Sequence, residues 1–127
     1  MAQIIVNANI MVPNGPKFAL NQTLEVEAYD KIDVTVPAST TDLEVELQPG
    51  AAGQVQFIAI VSDSYSEDLS FKINAATDVR TLDQPQLLMG KGAVSMFDAA
   101  PETLLFSNAA TDVDAKVQIL LGRDATP

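Results

Sequence analysis

Apolar and polar residues alternate with period two along most of the chain. In residues 23–28 (TLEVEA), Leu24, Val26 and Ala28 share one face while Glu25 and Glu27 take the other. Residues 31–36 (KIDVTV) repeat the pattern, with Ile32, Val34 and Val36 inward and Asp33 and Thr35 outward. Residues 43–47 (LEVEL) do so again. Successive strand side chains point to opposite faces, so this spacing predicts strands with one dry and one wet face. Residues 57–61 (FIAIV) are apolar on both faces, which predicts a central strand covered on both sides. Further strands are expected over residues 4–11, 69–73 and 115–121, with short ones over 86–89, 93–97 and 103–107. Helical periodicity is hard to find.

The separators carry turn chemistry. Asn14-Gly15, between Pro13 and Pro16, stops the first strand, and Tyr29-Asp30 is expected to close a tight hairpin. Residues 48–53 (QPGAAG) and Gly90-Lys91-Gly92 supply two further reversals, and Thr40-Thr41-Asp42 reads as a polar turn. About ten short strands so punctuated predict an all-β fold: an antiparallel β-sandwich, jelly-roll-like, with a closed barrel as the alternative. One domain spans residues 1–127. Residues 1–19 read either as an edge strand of that domain's own sheet or as an arm that docks on a neighbour.

The string NAATDV occurs twice, beginning at Asn74 and at Asn108, each time after a phenylalanine-bearing strand. A recurring turn explains it, since Asn and Asp bond their own backbone. Two equivalent loops at one end of the sandwich, forming a contact surface, are the alternative.

Composition narrows the chemistry. The chain has no cysteine, histidine or tryptophan, so thiolate nucleophiles, zinc knuckles and Ser-His-Asp triads are excluded. Catalysis would rest on carboxylates, lysines, arginines and hydroxyls alone, and the chain is read as a non-enzyme with no cofactor. Asp63, Glu67 and Asp68 crowd one loop, and Asp112 and Asp114 form a second acidic pair. Neither has the alternating ligands and central glycine of a calcium loop, so the loop reads as solvated acid and no metal is assigned. Gly90-Lys91-Gly92 lacks the spacing of a phosphate-binding loop.

Seventeen acidic against seven basic residues give a formal charge of −10. The cations stand singly, so a nucleic-acid stripe is missing and polyanions and anionic membranes are repelled. No apolar run is long enough to span a bilayer, and the amino terminus lacks the basic start of a secretory signal. Use without export or membrane insertion is expected. Between Ala2 and Ala19 the single charge is Lys17, while Ile4, Ile5, Ile10, Met11, Val12 and Phe18 are apolar. These six, with Arg123 near the carboxyl terminus as a lesser candidate, are the expected protein-interaction residues.

Four phrases carry a family resemblance: residues 29–37 (YDKIDVTVP), 43–50 (LEVELQPG), 106–108 (FSN) and 117–127 (VQILLGRDATP). In them the chain resembles small β-rich virion proteins of tailed bacteriophages, the kind that decorate or cement the head. The resemblance implies a structural role on the capsid exterior of the virion, with the major capsid protein as partner. It implies a homo-oligomer as well, of which a trimer suits local threefold sites. A tail or baseplate component, or a small carbohydrate-binding β-sandwich, are the other roles considered. No catalytic residues transfer with it.

Overall fold

A computed structural model describes residues 2–47, 55–74, 78–96 and 102–124. Their elements run β1 (Ala2–Met11), β2 (Lys17–Val26), β3 (Ala28–Val36), β4 (Thr40–Glu46), β5 (Val55–Ser62), β6 (Leu69–Ile73), β7 (Arg80–Thr81), β8 (Gln86–Met89), a one-turn helix α1 (Lys91–Val94), β9 (Thr103–Asn108) and β10 (Ala115–Arg123). The fold is all-β and its ladders are antiparallel.

Eight strands form two four-stranded sheets, ordered β3-β10-β5-β8 and β4-β9-β6-β7. The pairing is nested: the first of the eight lies beside the last, the second beside the second-last, and so inward to β6 beside β7. Alternation sets the register. Ile32, Val34 and Val36 of β3 stand opposite Ile119, Val117 and Ala115 of β10. A slip of β3 by one residue would turn its three outward.

The inner faces of both sheets feed one core, including Val36, Ile58, Ile60, Val117, Ile119 and Leu121 from one and Leu69, Phe71, Leu104 and Phe106 from the other. Phe71 and Phe106 are register partners on β6 and β9, with ring centroids 5.9 Å apart at a 41° tilt. Such offset rings add about 0.5–1.5 kcal/mol beyond their burial. One polar side chain is fully enclosed among the described residues. The Asn108 amide donates to the carbonyls of Val36 (3.2 Å) and Val113 (2.8 Å) and accepts from the Ala110 N–H.

Several expectations are corrected. Tyr29-Asp30 closes no hairpin: both lie inside β3, opposite Gly122 and Leu121. The break falls at Glu27, whose N–H donates to the Arg123 carbonyl and hands the chain from β2 to a different sheet. Residues 23–28 therefore straddle two strands. The expected strand over 93–97 is instead the turn of α1, because Gly90 takes φ +89° and the N–H groups of Val94 and Ser95 bond back to Gly90 and Lys91. Phe97 and residues 48–53 lie outside the described residues. Thr40-Thr41-Asp42 belongs to β4 as a bulge, with Asp42 at φ +54°.

The two NAATDV copies do not share an end of the fold. β6 and β9 are antiparallel neighbours in which Leu69 faces Asn108 and Ile73 faces Leu104, so their following turns start at opposite ends. Asn74 has φ +54° and accepts from the N–H groups of Glu102 and Thr103, whereas Asn108 is the buried clamp described above. Residues 75–77 of the first copy lie outside the described residues.

Candidate functional site: the hairpin arm

The first two strands stand apart from both sheets. β1 pairs with β2 alone, in a ten-residue register from Ala2 opposite Val26 to Met11 opposite Lys17. The amino-terminal segment is thus half of a separate hairpin, which corrects its reading as an edge strand of the main sheet. Its turn follows from sequence: Pro13 fixes φ, Asn14 takes φ +59°, and the Gly15 N–H closes onto the Val12 carbonyl at 2.8 Å.

Register sorts the hairpin into two faces. One carries Ala2, Val26, Ile4, Leu24, Val6, Gln22, Ala8, Leu20, Ile10 and Phe18, apolar but for Gln22. The other carries Ile5, Met11, Ala19 and Lys17 among Asn, Gln, Thr and Glu. The apolar face is seated at its base and bare at its tip. Ile4 and Val26 are buried against Phe57 of β5, with Ala59, Met89 and Leu120 packed around them on the outer face of the sheet. Gly122 makes room for this seat, because a Cβ there would stand 2.6 Å from Ile4 Cδ1 and 3.3 Å from Phe57 Cβ. This cover buries both faces of β5 at Phe57, while Val61 further along stays exposed.

Beyond Val6 and Leu24 the ribbon leaves the body and extends for about 17 Å at the usual rise per residue. At its end Ile10, Met11, Val12 and Phe18 are 46%, 68%, 59% and 57% exposed. Asn9, Ile10, Met11, Lys17, Phe18 and Ala19 line an open concavity of about 460 Å³ there. A two-stranded ribbon is marginal in water without a third strand or a packed face. The arm is thus built to be covered.

The expected interaction residues divide accordingly. Ile10, Met11, Val12 and Phe18 meet at the tip, and Ile5 is exposed on the face that carries Met11, opposite Ile10 and Phe18. Ile4 is only 7% exposed and belongs to the seat, so its assignment to a docking surface is corrected. Arg123 is held within the chain by Asp30, Nε to Oδ2 at 3.1 Å, at the bulge that ends β10. Residues 125–127 after it lie outside the described residues. Leu20 and Lys17, which complete the tip, were not among the expected residues. The signal was present: positions 18, 20, 24 and 26 keep the apolar period of β2.

The acidic loop over residues 62–68 is knitted to itself and to its neighbours. Asp63 accepts from the Lys116 N–H at 2.9 Å, the Ser62 N–H donates to the Tyr65 hydroxyl, and Ser66 Oγ accepts from the Asp68 N–H. Asp114 accepts from the Ala38 N–H. Among the described residues no three acidic side chains converge on a cation position. A smaller concavity of about 260 Å³ lies on the outer sheet face by Val61, Ser62, Asp63, Lys116 and Gln118. Among the described residues no helix is long and apolar enough to cross a membrane.

Compared with known proteins, the chain matches no family model, no curated protein and no solved structure.

Proposed function

We propose that this chain is a structural protein of a tailed-phage particle, bound to the outside of the head through the apolar face of its hairpin arm. The observation that carries this reading is the arm itself, its apolar face seated at the base by Ile4 and Val26 and bare at Ile10 and Phe18, with exposed Met11 and Val12 beside them at the tip. Fully burying side chains of this kind contributes about 1.5–3 kcal/mol each. A contact over the tip alone therefore supplies several kcal/mol without any enzymatic apparatus.

The body supports the same reading. Its strand order, with each early strand beside its late counterpart, fits a jelly roll of two Greek keys. That architecture serves viral capsid domains, and lectins and cupins too, so the arm and not the fold selects the function. The charge of −10 keeps the chain away from nucleic acid, and the major capsid protein then meets an arm that carries no acidic residue before Glu25.

The test is direct. Purified particles of the phage that encodes the chain should contain it as a stoichiometric component on the head. Particles lacking it should rebind the wild-type protein but not a variant carrying Ile10→Ser and Phe18→Ser. Absence from the particles, or equal rebinding by that variant, overturns the proposal.

A further inference from the structure

Six strand edges are open in this fold: those of β1, β2, β3, β8, β4 and β7 among the described residues. Exposed edges template unwanted pairing, and proteins guard them with charge, proline or brevity. β3 is guarded by Asp30, Lys31 and Asp33, and β4 by Asp42, Glu44 and Glu46. β7 and β8 are two and four residues long. β2 carries Lys17 at one end and Glu25 at the other. β1 has none of these protections: ten residues, AQIIVNANIM, without a charge or a proline.

The backbone of that edge is aimed outward in a defined way. The Val12 N–H donates to the Pro16 carbonyl, which makes 12 and 16 a hydrogen-bonded pair. Antiparallel ladders alternate such pairs, so the even residues of β1 bond to β2. Gln3, Ile5, Asn7, Asn9 and Met11 accordingly point their N–H and C=O groups away from the hairpin.

We infer that β1 pairs antiparallel with β1 of a second copy of this chain, joining two arms into a four-stranded β2-β1-β1-β2 sheet. Charge selects the second copy as occupant and fixes its direction. All seventeen acidic residues lie beyond residue 24, so two copies of a −10 chain meet without like-charge repulsion at their arms. Antiparallel docking sets the Lys17 end of one arm across from the Glu25 end of the other, on the same face and three strand spacings away, whereas parallel docking would put both lysine ends on one side.

Pattern fixes the register. Pairing centred on Asn7 opposes Asn7 to its own copy and Ile5 to Asn9. It also brings the exposed Ile10 alongside Ile4 of the second copy, so the bare tip of one arm extends the buried seat of the other. The contact is isologous, closes as a twofold dimer and is made by the edge backbone. It does not rest on a virion role.

Sedimentation and light scattering of the purified chain test it. Wild type should have twice the 13.5 kDa chain mass. Asn7→Pro removes an outward N–H and should give a monomer with the hairpin retained, whereas Ala8→Pro breaks the hairpin. Asn7→Lys and Asn7→Asp should each be monomeric, because like charges then face each other across the axis, and an equimolar mixture should dimerise. A monomeric wild type overturns the inference, as does a dimer that survives Asn7→Pro or a mixture that stays monomeric.

Discussion

Gly122 and Ile4 occupy one space: a methyl group on the glycine would lie 2.6 Å from Ile4 Cδ1, with Val26 Cγ1 at 3.1 Å and Phe57 Cβ at 3.3 Å behind it. Ile4 can swing its terminal methyl aside, but Phe57 Cβ is fixed to the β5 backbone. Gly122→Ala should therefore destabilise by about 1–3 kcal/mol through overpacking. Ile4→Ala in the same chain should recover part of that loss, a non-additivity visible in a double-mutant cycle of denaturant melts. Strict additivity would mean that the two residues do not share the seat.

Asn108 ties three backbone segments together from within the fold. Asn108→Ala leaves the Val36 and Val113 carbonyls short of a donor and should cost about 1–3 kcal/mol. Asn108→Asp should cost more at neutral pH, since it aims a carboxylate at two carbonyls. Its deficit should shrink as pH falls, because protonation restores a donor; urea midpoints measured across pH report this.

The Phe71–Phe106 pair lies at the centre of the core, each ring fully buried. Phe106→Ala should lose about 3–5 kcal/mol, and Phe106→Leu distinctly less because the void is smaller. Thermal unfolding of both variants gives the comparison.

The tip of the arm is expected to behave in the opposite manner. Ile10→Ser and Phe18→Ser remove exposed apolar groups and should leave stability of the free chain within about 0.5 kcal/mol. Binding to particles is where their effect should be seen, in a pull-down of purified heads.

Much of the body is legible from alternation. Ile32, Val34 and Val36, and likewise Leu43, Val45 and Leu47, face inward as their spacing requires. The strand at residues 86–89 has its stated bounds, because flanking Pro85 and Gly90 mark them. Alternation fails where chemistry of another kind intervenes. Residues 93–97 have strand-forming side chains, yet Gly90 at positive φ starts a helical turn that buries Val94. Tyr29-Asp30 resembles a turn only until β10 supplies a partner for every residue of β3.

The arm is harder to read because its decisive relations are long-range. Prolines around Asn14-Gly15 announce a reversal, but nothing local says that the two strands bond only to each other. The seat depends on Gly122, a residue whose role is to be small opposite Ile4. A period-two pattern fixes faces and leaves neighbours open, so Ile4 and Ile10 are equivalent in sequence and opposite in environment.

Nested pairing has a consequence for how the protein is made. β10, drawn from the last residues of the chain, is the inner strand that separates β3 from β5. Until it emerges from the ribosome, the sheet has a gap at its middle and Phe57 has no Gly122 beside it. The hairpin closes on itself early, from neighbours in sequence, whereas the body waits for a contact spanning nearly its whole length, the kind that folds slowly. Synthesis thus delivers an exposed apolar hairpin before the domain that will hold it, and truncation at the carboxyl end should be more damaging to folding than the same loss from any surface turn.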